Sequence, residues 1–121
     1  MGLSTAPDAR YVLNDPSAGS IADGGVTVGT SGTLITQVKI YGPSLTPASV
    51  AAATVAEQTF TVTGLTTSDK VLVTVPSISN ATGIAGARVS ATDTLAVRFV
   101  NPTAGALTPT SGVYVVVAFR S

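Results

Sequence analysis

Few side chains in this sequence are able to do chemistry, and their types exclude more than they suggest. Among 121 residues there is no His and no Cys, and the ionisable set is six Asp or Glu against six Lys or Arg. Nucleophilic catalysis needs a base beside a nucleophile. Ser is plentiful, but no imidazole accompanies it and no GxSxG elbow occurs, so Gly29-Thr30-Ser31-Gly32 reads as a turn. Without His or Cys a zinc-type site has no ligands, and no DxDxDG-like run clusters oxygens for calcium. Glu57 is the single Glu, and Asp69 and Asp93 fall in turn sequences, where Asp bonds its own backbone. A carboxylate pair for glycoside chemistry is therefore not expected. Gly24–Gly29 (GGVTVG) lacks the Lys and the helix of a phosphate loop. Asn80-Ala81-Thr82 matches a glycosylation sequon, but residues 1–20 show no secretory leader to deliver it. The expectation is a chain that is not an enzyme and that holds no cofactor and no metal.

Two charged residues stand out. Arg88 and Arg98 lie on adjacent expected strands joined by a short turn, which places them on one face. Most arginines of this kind solvate a strand surface. The sharper expectation is that they pair across a subunit boundary with Glu57 or Asp93.

The elements that position these residues are strands. Gln58–Thr63 (QTFTVT), Lys70–Val75, Ile84–Ser90, Leu95–Val100 and Val113–Phe119 are rich in β-branched and aromatic residues and are bounded by Gly, Pro, Asn, Asp and Ser. A further strand begins at Thr33 and ends at Gly42-Pro43, and Ser44–Val50 is short and edge-like, with Pro47 inside it. Ala51–Val55 is too short for a helix and reads as loop. Alternation turns Val71, Val73 and Val75 inward with Leu95, Val97 and Phe99, and turns Lys70, Leu72, Thr74 and Arg98 outward. Phe60 and Phe119 are expected inward as well. The last strand is apolar on both faces, with Val113, Val115, Val117 and Phe119 on one and Tyr114, Val116 and Ala118 on the other. It must therefore be central or half covered by a partner. Six to seven antiparallel strands at this spacing predict an all-β antiparallel sandwich over residues 32–121, jelly-roll or Ig-like, with a barrel as runner-up.

Residues 1–31 differ. They carry Pro7, Pro16, Gly19, Gly24, Gly25 and Gly29 with little periodicity, and only Tyr11–Leu13 and Val26–Val28 have strand character. They read as an extended arm that either stays disordered alone or orders on a neighbour. Its reach of ~100 Å would span to an adjacent subunit.

Charged residues make up 10% of the chain, against about 25% in an ordinary soluble domain, and they cancel. So neutral a surface is poorly protected against association. No basic cluster offers itself to nucleic acid, and no run of 18 apolar residues could span a membrane as a helix.

Ser49–Leu65 (SVAAATVAEQTFTVTGL) and Gly86–Arg120, with its ARVSATDTLAVRF and NPTAGALTP stretches, resemble a family of small tailed-bacteriophage virion proteins, the capsid cement or head-decoration proteins. Related modules occur in phage tail and fibre proteins. The resemblance covers over half the chain and includes no catalytic motif. It implies a homotrimer on the exterior of the capsid, assembled in the host cytoplasm, with the major capsid protein as partner. The interface residues expected on this reading are Tyr11, Val26, Val28, Arg88, Arg98, Tyr114 and Val116. The alternatives are a tail, baseplate or fibre module and a host carbohydrate-binding sandwich. The absence of Trp and the small number of Tyr weaken the latter.

Overall fold

A strand with one apolar face must cover that face, and this chain does so by stacking two three-stranded antiparallel sheets. The computed structural model describes residues 31–121, and the compact β unit is Gln37–Ser121. Its strands are β1 (Gln37–Tyr41), β2 (Ser44–Leu45), β3 (Thr54–Thr61), β4 (Lys70–Thr74), β5 (Gly83–Ala91), β6 (Thr94–Asn101), β7 (Gly112–Val113) and β8 (Val115–Arg120), with no helix among the described residues. One sheet has the order β1-β8-β4 and the other β3-β6-β5, and β2 pairs with β7 in a small ribbon. The architecture is the expected all-β sandwich. Its two centres, β6 and β8, are the strands with the most continuous apolar sequence.

Leu95, Val97 and Phe99 of β6 are at most 1% exposed. They face Val116 and Ala118 of β8, and Tyr114 just before it, across the interlayer space. The Phe99 and Tyr114 rings meet edge to face at 6.4 Å and 85°, the arrangement that the ring quadrupoles favour. Tyr41, Ala56, Phe60, Val71, Val73, Ile84 and Ala87 complete the packing. The expected inward positions Val71, Val73, Leu95, Val97 and Phe99 are thus inward, whereas Val75 lies past the end of β4 and is 36% exposed.

Three expectations are corrected. Val55 lies in β3 rather than in a loop, because β6 is eight residues long and offers partners as far as Thr54↔Asn101. The Tyr114 and Val116 face, expected to be covered by neighbouring subunits or by the second sheet, is covered by the second sheet, so Tyr114 and Val116 are not available as interface residues: both are fully buried within the single chain, and the Tyr114 hydroxyl donates to the Thr110 carbonyl at 2.7 Å. Phe119 is turned outward, opposite Val38 and Lys70, and is half-buried. Strand parity makes the last two corrections one statement, since burying Tyr114, Val116 and Ala118 sends Val115, Val117 and Phe119 to the other side.

Two polar side chains hold the segments that lack strand partners. Asn101 is fully buried. Its amide donates to the carbonyls of Val50 (3.0 Å) and Gly105 (2.8 Å), and its oxygen accepts from the Thr103 N–H (3.0 Å) and hydroxyl (2.7 Å). Gln58, mid-strand in β3, donates to the Ala48 carbonyl at 2.9 Å and accepts from its N–H at 2.7 Å, substituting for a ladder along the segment after β2. The tip of the β5–β6 hairpin is tied to the β3–β4 connection. Asp93 adopts φ 58°, which Asp tolerates, and its carboxylate accepts from the Gly64 N–H at 2.7 Å.

Candidate functional site

Among the described residues the carboxylate side chains are engaged inside the fold. Glu57 accepts a two-point bond from Arg88, with Nη2 to Oε1 at 2.9 Å and Nε to Oε2 at 3.1 Å. Asp69 is buried and takes Arg120 Nε at 2.6 Å, Arg120 Nη2 at 2.9 Å and the Thr66 N–H at 2.9 Å. Asp93 holds the Gly64 N–H. The Arg88 guanidinium, aided by the field of Arg98, keeps the Glu57 carboxyl below its ordinary range, and Arg120 does the same for Asp69 against the opposing effect of burial. Arginine partners thus favour the ionised form of Glu57 and Asp69. No group of three His, Cys, Asp or Glu able to hold a metal occurs among the described residues.

A depression of about 220 Å³ lies over Glu57, Ala85, Gly86, Ala87, Arg88 and Arg98, and another of about 260 Å³ lies over Thr67, Asp69, Lys70, Val71, Ala87, Arg88 and Val89. Both are smaller than the roughly 300–1,000 Å³ of small-molecule sites.

Arg88 and Arg98 do share the outer face of the β3-β6-β5 sheet. Glu57 and Gly86 are the cross-strand neighbours of Arg98, and Ala96 is the neighbour of Arg88. The side chain of Arg88 therefore crosses over Ala96 on the central strand to reach Glu57 on β3. Ala96 is fully covered although it belongs to the outer set. The expected pairing of Arg88 with Glu57 across a subunit boundary is corrected, because the pair closes within one chain. Arg98 makes no hydrogen bond or ion pair among the described residues. Tyr11, Val26 and Val28 lie outside the described residues.

The outer face of the β1-β8-β4 sheet is of another kind. Its rows run Val38–Phe119–Lys70 and Ile40–Val117–Leu72 across the three strands, with Val115 opposite Thr74 beyond them. Ile40 is 74% exposed, Leu72 63%, Val38 54% and Val115 38%. Lys70 is the one charged side chain among these positions. Isolated exposed aliphatics are ordinary, whereas these form one contiguous sheet face. The sequence shows that the last strand is apolar on both faces; its alternation predicts Phe119 inward and leaves the Tyr114 and Val116 face to a partner or to the second sheet. The Val38 and Ile40 alternation in β1 held the missing signal, since three neighbouring strands each present apolar side chains to the same side. Asn101 and Gln58 were also missed in their structural roles. Asn101-Pro102-Thr103 carried a local sign, an Asn placed to bond the backbone two residues on.

No protein-family model matches this chain, and neither does any curated protein or solved structure compared with it.

Proposed function

We propose that this chain is a virion structural protein of the capsid cement or head-decoration kind, a β-sandwich that works as a homotrimer and adheres to the major capsid protein. The observation that carries the reading is the aliphatic outer face of the β1-β8-β4 sheet, built from Val38, Ile40, Leu72 and Val115, on a domain whose carboxylates are all engaged internally. Such a surface binds by area rather than by chemistry, and in a shell many weak copies of one contact add to a strong one. The stretches AEQTFTVTG, ARVSATDTLAVRF and NPTAGALTP, which carry the family resemblance, form β3, the β5–β6 hairpin and the Asn101 turn, so the resemblance falls on the sheet opposite the adhesive face.

Phage heads assembled without this chain test the reading. Purified protein should co-sediment with such heads and saturate at a fixed copy number per capsomer, and low-resolution imaging should show added density on the head exterior. Binding to tails alone, or no binding to either, would refute the head assignment.

A further inference from the structure

The neutral net charge of this chain hides a division. Residues 1–30 carry Asp8, Asp15 and Asp23 against Arg10, a side-chain charge of −2. Residues 31–121 carry Lys39, Lys70, Arg88, Arg98 and Arg120 against Glu57, Asp69 and Asp93, a charge of +2. In the sandwich all three carboxylates have partners, two of them arginines. Lys39, Lys70 and Arg98 make no ion pair among the described residues. Lys70 sits on the apolar outer face of the β1-β8-β4 sheet, in the row of Val38 and Phe119, whereas Lys39, opposite Ala118, belongs to the other side of that sheet.

Whatever covers this face needs apolar side chains flanked by negative charge. The face itself measures roughly 14 Å across three strands and ~17 Å along five residues, or ~240 Å². Two copies packed face to face would fall well short of the ~800 Å² per partner of a stable interface. An extended segment one strand wide fits a face of this size. The sequence Asp8-Ala9-Arg10-Tyr11-Val12-Leu13-Asn14-Asp15 has that chemistry, an apolar Tyr-Val-Leu centre with a carboxylate at each end. From Asp15 to Gln37 there are 22 residues, a reach of ~70 Å when extended.

We infer that residues Asp8–Asp15 of a neighbouring copy lie across the Val38, Ile40 and Leu72 face, with Tyr11 and Leu13 on the aliphatic rows and a carboxylate against Lys70. The inference rests on the multi-copy reading above and gives the contact between copies a donor segment and an acceptor face. The charge pair adds specificity, and the aliphatic contact supplies most of the attraction.

Sedimentation equilibrium of the full chain, with no heads present, tests it separately from head binding. The wild-type chain should self-associate at tens of micromolar. Tyr11→Asp, Leu72→Asp and Lys70→Glu should each weaken association by about tenfold or more, and the Lys70→Glu loss should shrink in high salt. Asp8→Lys with Asp15→Lys, added to Lys70→Glu, should restore it. A synthetic peptide of residues 5–18 should compete with the wild-type association. A chain that is monomeric throughout would overturn the inference, and so would association that Leu72→Asp abolishes but Tyr11→Asp and the peptide leave untouched. Either result could stand beside normal head binding, so the virion reading would be judged by its own experiment.

Discussion

Asn101→Ala is the substitution whose cost the structure specifies best. The side chain is fully buried and makes four hydrogen bonds that connect the end of β6 to Val50 and to the turn at Thr103–Gly105. Not all four partners would be orphaned. The Val50 carbonyl also accepts the Leu107 N–H at 3.0 Å, and the Thr103 hydroxyl, once released from Asn101, is 2.9 Å from the Gly105 carbonyl and can donate to it. The Thr103 N–H has no substitute among the described residues, and a cavity the size of an amide would remain. At about 1 kcal/mol net per bond, with the two backed-up carbonyls counted at less, the loss comes to about 3 kcal/mol. An 85-residue unit at ~0.05–0.15 kcal/mol per residue holds about 4–13 kcal/mol, so this is a large share, equivalent to a fall in Tm of roughly 12–24 °C. Asn101→Asp separates the hydrogen-bond argument from simple space filling. Its shape is conserved, but the oxygen that replaces Nδ2 would face the Val50 and Gly105 carbonyls, and burial would raise the folded pKa of the new carboxyl above its unfolded value. The added destabilisation relative to wild type should be small below about pH 4 and grow as pH rises through the raised folded pKa. Urea unfolding at pH 3.5 and pH 7 reads both effects. A cost below 1 kcal/mol for Asn101→Ala, or no pH dependence in the Asn101→Asp difference, would refute the account of Asn101 as a buried hub.

Asp69 supplies a pH effect of the opposite sign. Its folded pKa is lowered, chiefly by Arg120, so its contribution is complete above the unfolded carboxylate range and is lost as pH falls through the folded value; Asp69→Asn should flatten that acid limb of the Tm profile. Phe99→Ala should cost about 3–5 kcal/mol in chemical denaturation, because it empties a site against Tyr114, whereas Thr61→Ala, exposed on β3, should cost far less. Equal losses would mean the strand parity is wrong. Glu57→Gln should leave Tm within the scatter of surface substitutions, since Arg88 is largely in solvent; thermal melts would expose a structural role by a clear drop.

The strand positions were legible in the sequence because period-two alternation survives wherever one face is wet. Lys70–Thr74 and Thr94–Asn101 show it, and their inward residues follow from composition alone. Alternation fails to say which side is inside when both sides are apolar. In Val113–Phe119 the choice between Tyr114 and Val115 was decided by the pairing of β8 with β1 and β4 and by the Phe99 ring waiting across the layer, facts that belong to tertiary structure. The start of β3 was obscured by Glu57 and Gln58, which are poor strand formers. One is accommodated by lying on the outer face under Arg88, the other by bonding the Ala48 backbone. The partnership of Arg88 with Glu57 spans 31 residues and a central strand, and no local pattern encodes it.

The central place of β8 has a consequence for the order of folding. The β3-β6-β5 sheet contains a hairpin closed by Thr92 and Asp93, so half of its ladder forms between near neighbours. The other sheet cannot begin. Among the described residues β1 and β4 are not paired with each other, and the strand ladder of each is with β8, with Gln37 meeting Arg120. Until the last strand arrives, two apolar strands have no ladder partner and loop closure must span nearly the whole unit. The expected behaviour is slow, high-contact-order folding, on the millisecond-to-second scale. During that interval the edges of β1 and β4 are open to strands from other molecules, which makes nascent chains more prone than finished ones to join the wrong partner.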